Sequence, residues 1–135
     1  MANWLLKTEP DEFSYDDLVK EKRAVWDGVA NATALIHIRK MKKGDQAIIY
    51  HTGKEKAAVA IAEIVTDPYP DPQANDPKIV VFDLKPKRRF DNPVTLAQIK
   101  ADPVFAEWEL VRISRLSVMP VPASIWKKIE QLAEK

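Results

Sequence analysis

A chain of 135 residues is long enough to bury one hydrophobic core, and its 46% hydrophobic and 30% charged residues exclude intrinsic disorder. The absence of cysteine excludes a disulfide framework, a thiolate nucleophile and a cysteine-ligated zinc. The net charge of +1 excludes a polyanion partner that is recognised through overall charge, so any contact with nucleic acid has to be local.

The N-terminal part of the chain predicts a strand, a short helix and a loop. Contiguous apolar residues favour a strand over residues 3–8, which ends at a turn signal. Ser14 is placed to cap a helix over about residues 15–22, because a hydroxyl before the first turn can accept a hydrogen bond from a free backbone N–H. Residues 26–29 then predict a loop.

The middle of the chain predicts a second helix and a pair of central strands. Asn31 is a candidate cap for a helix over about residues 32–41, whose apolar residues recur at helical spacing. Apolar runs over residues 47–50 and 57–65 predict two strands that are joined by a polar hairpin turn.

The C-terminal half predicts a proline-rich loop over residues 67–77 and then alternating strands and helices. These elements are a strand over 79–84, a helix over 96–100 capped by Thr95, a short helical segment over 102–108, a strand over 111–118 and an amphipathic helix after Pro122. Strands and short helices outside strict alternation predict an α+β fold with a curved, largely antiparallel sheet.

The sequence carries few of the patterns that mark catalysis. The two histidines, His37 and His51, lie apart, and neither has a pair of carboxylates at ligand spacing. The zinc-helix, P-loop and dinucleotide-binding patterns are absent, and three glycines leave little material for a phosphate-cradling loop. We therefore expect no metal and no cofactor.

Several polar and aromatic residues are candidates for a ligand site. Trp26 lies beside Asp27 in the predicted loop, where a core role is less natural than for the other tryptophans. Lys7 interrupts an apolar strand, so its ammonium reaches solvent, pairs with a carboxylate or faces a polar cavity. Tyr50 and His51 end a strand with groups that can read the edge of a heterocycle, although simple strand-end polarity explains them equally well.

Two basic clusters stand out against the balanced overall charge. One comprises Arg39, Lys40, Lys42 and Lys43, and the other comprises Lys85, Lys87, Arg88 and Arg89. Composition alone favours solvated faces at the ends of elements, and local phosphate contacts are the alternative.

Six short motifs follow one another along nearly the whole chain: WLLKTEP at 4–10, FS at 13–14, WDGV at 26–29, MKKGD at 41–45, YH at 50–51 and SRLSV at 114–118. Their order and content resemble the EVE domain of the PUA-like class. The resemblance implies one domain over residues 1–135, with a curved mixed sheet or open barrel and short helices packed around it.

The resemblance also implies a binding module without catalytic activity, which holds a modified base of DNA or RNA, flipped out of its stack, in an aromatic and polar pocket. Base contacts are implied for Trp26, Tyr50, Lys7, Ser14, Val29, Asn31, His51, Leu116 and Ser117. Phosphate contacts are expected from Arg39, Lys42 and Lys43. A cytoplasmic monomer without a membrane partner is expected.

One stretch departs from the family pattern. Where relatives carry an Arg-Asn-aromatic run after WDGV, this chain has Ala30, Asn31 and Ala32. The departure predicts a different base, weaker binding or a smaller ligand.

Two other functions stay open. The neighbouring ASCH branch of the PUA-like class implies an amidohydrolase acting on a modified nucleoside through Lys7, Thr8 and Glu9. Strand alternation argues against the amidohydrolase. The Thr8 side chain is expected to point to the opposite face from Lys7 and Glu9, so the three groups would not converge. The alternative outside nucleic-acid chemistry is a protein-interaction surface on the loop over residues 67–77, which needs an exposed apolar patch.

Overall fold

The computed structural model describes residues 2–134, which form one curled mixed sheet with helices around it. The strands are β1 (Asn3–Thr8), β2 (Ala24–Trp26), β3 (Gln46–His51), β4 (Ala57–Ile64), β5 (Tyr69–Pro70), β6 (Val80–Thr95) and β7 (Val118–Pro120). Their order is β2-β6-β4-β3-β1-β7, and β5 pairs with β6. Only the β1–β3 pair is parallel among the strands described, so the predicted α+β fold with a largely antiparallel curved sheet is confirmed.

Strand β6 is longer than its apolar run predicts, because it continues for 16 residues from Val80 to Thr95. The apolar run predicted a strand that ends at Leu84, and Pro86 beyond it cannot donate a ladder hydrogen bond. In the structure Pro86 pairs with Ala62 where the β4–β6 register shifts, and an irregularity of this kind is where a strand tolerates proline. The extension brings the basic residues after Pro86 onto the sheet.

Residues 2–134 contain five α-helices, and three of them begin at polar caps that the sequence identifies. They are α1 (Tyr15–Glu21), α2 (Ala32–Arg39), α3 (Leu96–Ala101), α4 (Glu109–Arg112) and α5 (Ala123–Ala133), with a 3₁₀ turn at Pro103–Phe105. Ser14, Asn31 and Thr95 each accept a backbone hydrogen bond from the first turn of α1, α2 and α3, so the three predicted caps are confirmed. The helix expected to reach about residue 41 ends at Arg39.

Two predictions about local structure are wrong. Residues 111–118 do not form one strand, because Glu109–Arg112 is a helical turn and only Val118–Pro120 pairs with β1. Trp26 is not in a loop, since it is the last residue of β2 and pairs with Phe82 of β6. At Trp26, pairing with a distant strand decided the conformation that the local pattern left ambiguous.

The core lies between the sheet and the helices and, within residues 2–134, holds two buried polar side chains, those of Asp45 and His51. Asp45 is buried, and its carboxylate accepts hydrogen bonds from the Trp4 indole N–H at 3.0 Å and from the backbone N–H groups of Ala2 and Lys42. These bonds satisfy the buried charge and hold the start of β1 against the turn after α2. From Ala2 to Glu134, no helix has the length and apolar character that a bilayer crossing requires.

Candidate functional site

A cavity of about 610 Å³ opens where β1 and β2 end, and we call it the main cavity. Four segments line it: residues 7–9 at the end of β1, residues 12–13 before α1, residues 25–31 between β2 and α2, and Ser117 before β7. The two strand ends lie on different parts of the sheet, and the curl of the sheet brings them to one cavity. A volume of this size falls within the range of about 300 to 1,000 Å³ that small-molecule sites occupy.

An aromatic pair forms one wall of the main cavity. The rings of Phe13 and Trp26 have centroids 6.1 Å apart and planes inclined by 79°, which is an edge-to-face arrangement. Trp26 is only 8% exposed, so most of its surface packs in the core. It therefore serves as core residue and cavity wall together, and the two roles weighed from the sequence are not exclusive.

The charged lining of the main cavity is mostly acidic. Three carboxylates, those of Glu9, Glu12 and Asp27, line it together with a single ammonium, that of Lys7. Asp27 is exposed and lies next to Gly28, whose positive φ of 78° turns the chain away from β2. Carboxylates accept hydrogen bonds, so the cavity favours a ligand that presents donors to them.

Asn31 combines two roles through the two ends of its amide. Its Oδ1 accepts a hydrogen bond of 3.0 Å from the Ala34 backbone N–H and so caps α2. Its side chain also lines the main cavity, where the amide N–H₂ remains as a donor. Val29 and Ser117, two other predicted base contacts, line the same cavity.

Lys7 lies between the main cavity and a second, smaller one. Its Nζ donates a hydrogen bond of 2.8 Å to the Ser114 carbonyl oxygen and lies 5.9 Å from the centroid of the Tyr50 ring. Burial lowers the pKa of Lys7 below its usual value, because the charged form loses part of its hydration. The ammonium is thus held in place and in reach of both cavities.

The smaller cavity has a volume of about 310 Å³, and we call it the lysine pocket. Three lysines line it, Lys7, Lys56 and Lys100, with Tyr50 and Thr52 beside them. Apolar residues of α3 and α4 close its other side. Tyr50, which the sequence suggested as a wall for a base, belongs to this pocket and not to the main cavity.

The polar groups of several predicted site residues form hydrogen bonds within the fold. The Ser14 hydroxyl accepts from the Asp17 backbone N–H at 3.1 Å, as expected for a cap. His51 is 5% exposed, and its Nε2 accepts from the Tyr15 backbone N–H at 3.0 Å while its Nδ1 lies 2.7 Å from Glu55 Oε1. This pattern places the ring proton on Nδ1 and gives His51 a positioning role between α1 and the hairpin.

Other predicted contacts lie away from both cavities or behind them. Leu116 is buried, and its neighbour Ser117 is the residue that faces the main cavity. The cluster of Arg39, Lys42 and Lys43 lines neither cavity, and the Arg39 guanidinium donates to the Lys78 carbonyl oxygen at 2.7 Å. Phosphate binding by this cluster stays a prediction.

The lining also includes residues that sequence reasoning missed. Phe13, Glu12 and Ala30 line the main cavity, and Phe13 is the one whose place in a motif could have identified it. Lys7, Thr8 and Glu9 all line the cavity as well, but their polar groups bond to different partners, namely the Ser114 carbonyl oxygen, the Phe13 carbonyl oxygen and the Thr52 hydroxyl. Strand β1 ends at Thr8, and Glu9 is free of the alternation that holds within a strand.

The family model described as the EVE domain matches residues 2–132. Thymocyte nuclear protein 1 of Danio rerio is 35% identical over 104 residues, which cover 68% of this chain and 44% of that protein. The chain therefore spans about half the length of the curated relatives it matches.

Solved structures agree with this fold over nearly the whole chain. A protein of Rhodopseudomonas palustris solved by NMR is 41% identical, with a TM-score of 0.93 over 98% of this chain and 93% of that one. The human THYN1 protein in complex with 5-methylcytosine containing DNA is 27% identical, with a TM-score of 0.90 over 100% of this chain and 99% of that one.

A more distant structure shares the fold alone. The ASCH protein of Zymomonas mobilis is 14% identical, with a TM-score of 0.64 over 96% of this chain and 94% of that one. The family match, the curated relatives and the similar structures agree, and the chain belongs to the EVE domain family.

Proposed function

We propose that this chain binds nucleic acid and holds one modified base, turned out of its stack, in the main cavity. The observation that carries the proposal is the composition of the cavity, in which the Phe13 and Trp26 rings form a wall beside the Asn31 amide and the Asp27 carboxylate. A flipped base needs both features, a flat apolar surface against its ring and polar groups at its edge. Two strand ends, Lys7–Thr8 of β1 and Val25–Trp26 of β2, hold one part of the lining in the sheet, and the connecting segments supply the rest.

The energetics favour an aromatic wall that is already in place. Stacking of a base on an aromatic side chain contributes about 1 to 3 kcal/mol, which offsets part of the cost of unstacking the base from its duplex. Because Phe13 fixes the Trp26 ring edge to face, little side-chain entropy is lost when a base packs against the pair. The result is a site that binds a base without a large rearrangement.

The first ligand to test follows from a relative. The human THYN1 structure contains DNA with 5-methylcytosine, and this supports DNA with a modified cytosine as the ligand class. The acidic lining fits the same class, because the exocyclic amino group of cytosine donates hydrogen bonds that a carboxylate accepts. Asp27, exposed at the cavity, is the residue we assign to that contact.

Recognition of the modification itself requires more than apolar burial. One buried methyl group is worth about 0.8 kcal/mol, which is about a fourfold preference. Larger selectivity needs hydrogen bonds that place the base so that the methyl group enters a fitted space. Ala30, where relatives are expected to carry a larger residue, leaves open space at this end of the cavity.

The test is a pair of matched DNA duplexes that differ only in one cytosine or 5-methylcytosine, titrated by fluorescence anisotropy. We expect the methylated duplex to bind more tightly, and Asp27→Asn to weaken binding of both duplexes. The matched control is Asp11→Asn, since Asp11 is equally exposed and does not line the cavity. Equal binding of all duplexes by the wild type and both variants would contradict the proposal.

The amidohydrolase alternative is favoured by one observation, which is that Lys7, Thr8 and Glu9 line the same cavity. Their polar groups, however, point to different partners. The Thr8 hydroxyl donates to the Phe13 carbonyl oxygen at 2.6 Å, and the Glu9 carboxylate accepts from the Thr52 hydroxyl at 3.3 Å. With the Lys7 ammonium on Ser114, the three groups do not converge on one reacting atom.

Mass spectrometry decides between the two functions. A panel of modified nucleosides is incubated with the protein, and we expect every nucleoside to be recovered unchanged. Conversion by the wild type that Lys7→Met abolishes would establish a hydrolase and contradict the binding-module proposal.

A further inference from the structure

We propose that the lysine pocket is an anion subsite, which takes a phosphate group of the nucleotide whose base occupies the main cavity. The inference rests on the proposed function for the identity of the ligand. The site itself is argued from charge and geometry alone.

The charged groups that line the two cavities differ in sign, although the Glu9 carboxylate of the main cavity also accepts a hydrogen bond from Thr52, which lines the lysine pocket. The main cavity has the carboxylates of Glu9, Glu12 and Asp27 on its lining, whereas the lysine pocket has no carboxylate on its lining at all. A phosphate is repelled by the first set and attracted by the three ammonium groups of the second. An elongated ligand with a donor-bearing head and an anionic end therefore has one favourable orientation across the two cavities.

The ammonium groups of the lysine pocket have no carboxylate partner. Within residues 2–134, neither Lys7, Lys56 nor Lys100 forms an ion pair, although other lysines of the chain do so with Glu63 and Asp102. Like charges that line one pocket repel each other, and an anion between them removes that repulsion. The pocket thus offers an incoming anion three ammonium groups that form no ion pair within residues 2–134.

The backbone around Lys56 positions its side chain for this role. Lys56 has a positive φ of 45°, which a residue with a side chain seldom adopts, and its carbonyl oxygen accepts a hydrogen bond of 2.8 Å from the Leu96 N–H at the start of α3. That bond joins the hairpin to the helix that carries Lys100. Lys56 and Lys100, two of the three lysines that line the pocket, are therefore held on segments that this hydrogen bond joins.

Lys7 connects the subsite to the main cavity. Lys7 lines both cavities, so the two adjoin at this residue. In a nucleotide the base and its phosphates are separated by the sugar, a spacing that fits adjoining cavities. A base in the main cavity accordingly leaves a neighbouring phosphate next to Lys7.

The first experiment uses inorganic phosphate alone and does not depend on nucleic-acid binding. Phosphate is titrated into ¹⁵N-labelled protein, and we expect saturable shifts of the backbone amide signals of Lys56, Lys100 and Ser114. We expect Lys56→Gln and Lys100→Gln each to weaken the apparent affinity by about tenfold, as loss of a charge-assisted hydrogen bond does. Lys54→Gln is the matched control, because Lys54 lies in the same exposed turn and does not line the pocket.

Shifts that fail to reach the pocket amides, or that Lys54→Gln weakens as much as Lys56→Gln, would overturn the subsite. The signals of Trp4 and Val118 in the sheet report whether each variant is folded. A folded variant with unchanged phosphate affinity counts against the proposal.

The second experiment compares a modified cytosine nucleoside with its 5′- and 3′-monophosphates. We expect one monophosphate to bind about tenfold more tightly than the nucleoside, and the Lys56→Gln/Lys100→Gln double variant to remove that gain while nucleoside affinity is unchanged. If the nucleoside binds and neither phosphate adds affinity, the subsite is wrong and the base cavity stands. If inorganic phosphate binds the pocket and neither the nucleoside nor the methylated duplex binds, the proposed function is wrong and the anion site stands.

Discussion

Phe13 and Trp26 meet edge to face on the wall of the main cavity, with ring centroids 6.1 Å apart and planes inclined by 79°. Phe13 precedes α1 and Trp26 ends β2, so the contact joins two elements that the sheet does not pair. The Trp26 backbone pairs with Phe82 of β6, and its ring packs against Phe13. A change at Trp26 therefore affects stability and ligand binding together, and the two effects have to be measured separately.

Replacing Trp26 tests its double role. We expect Trp26→Ala to lower the free energy of unfolding by about 3 to 5 kcal/mol, as for a buried tryptophan, and to weaken binding of the methylated duplex by about 1 to 3 kcal/mol. Trp126→Ala is the matched control, since Trp126 is 9% exposed and lines neither cavity. Urea unfolding should give a similar loss of stability for both variants, and anisotropy should give unchanged binding for folded Trp126→Ala only.

Alanine variants of two serines distinguish a residue that caps a helix from a residue that contacts the ligand. Ser14→Ala removes the hydroxyl that caps α1, and we expect it to cost about 1 kcal/mol of stability without altering ligand affinity. Ser117→Ala is expected to do the reverse, because Ser117 lines the main cavity and caps no helix. Urea unfolding and duplex titration of both variants check the pair, and a binding loss in Ser14→Ala would assign it to the site after all.

Two glycines with the same backbone conformation provide a comparison of strain with steric contact. Gly28 and Gly53 have φ of 78° and 76°, so alanine at either position costs about 1 kcal/mol or more for the backbone. A Cβ at Gly28 meets no atom within 4 Å, whereas one at Gly53 lies 2.9 Å from Glu9 Oε1. We expect Gly53→Ala to be the more destabilising variant, and Glu9→Ala to reduce the difference in the double variant. Equal unfolding free energies for the two alanine variants would show that the Glu9 contact has no cost.

The hydrogen bond of Tyr69 predicts that the stability of the folded protein depends on pH in the alkaline range. Its hydroxyl donates to Asp83 Oδ1 at 2.5 Å, and this hydrogen bond to a carboxylate raises the pKa of Tyr69 to about 12. The folded protein therefore binds more protons than the unfolded chain between the usual pKa of 10.0 and about 12, so stability falls as the pH rises through that window. Asp83→Asn should lower the pKa of Tyr69 and narrow the window.

The near-ultraviolet absorbance of tyrosinate measures this titration while circular dichroism reports that the protein is folded. Burial also raises the pKa of Tyr15 and Tyr50, so Tyr69→Phe identifies which step of the curve belongs to Tyr69. A curve that Asp83→Asn leaves unchanged would contradict the account.

Much of the fold could be predicted because its local signals are chemically specific. Ser14, Asn31 and Thr95 were identified as caps from the hydroxyl or amide they place before a helix, and the structure has each of them as a cap. The apolar runs that became β1, β3 and β4 were equally clear. The wrong strand over residues 111–118 came from apolar residues whose spacing fits a short helix as well as a strand.

The site was harder to predict than the fold, because it is assembled from segments that are far apart in sequence. Trp26, Asn31 and Ser117 were identified, but Phe13 and Glu12 reach the main cavity only through the curl of the sheet. Lys7 lines both cavities. The other charged groups line only one of them, with carboxylates in the main cavity and lysines in the lysine pocket. No pattern along the chain contains that information.

The most direct test of base binding in the main cavity is to follow the four tryptophan indole N–H signals by NMR while the methylated duplex is added. Trp4 and Trp108 donate their indole N–H groups to Asp45 and to the Pro120 carbonyl oxygen in the interior, and Trp126 packs from α5. Single Trp→Phe variants assign the signals. The account predicts that the Trp26 signal shifts most and saturates with the duplex. Saturable binding that leaves the Trp26 signal in place and moves another indole would contradict it.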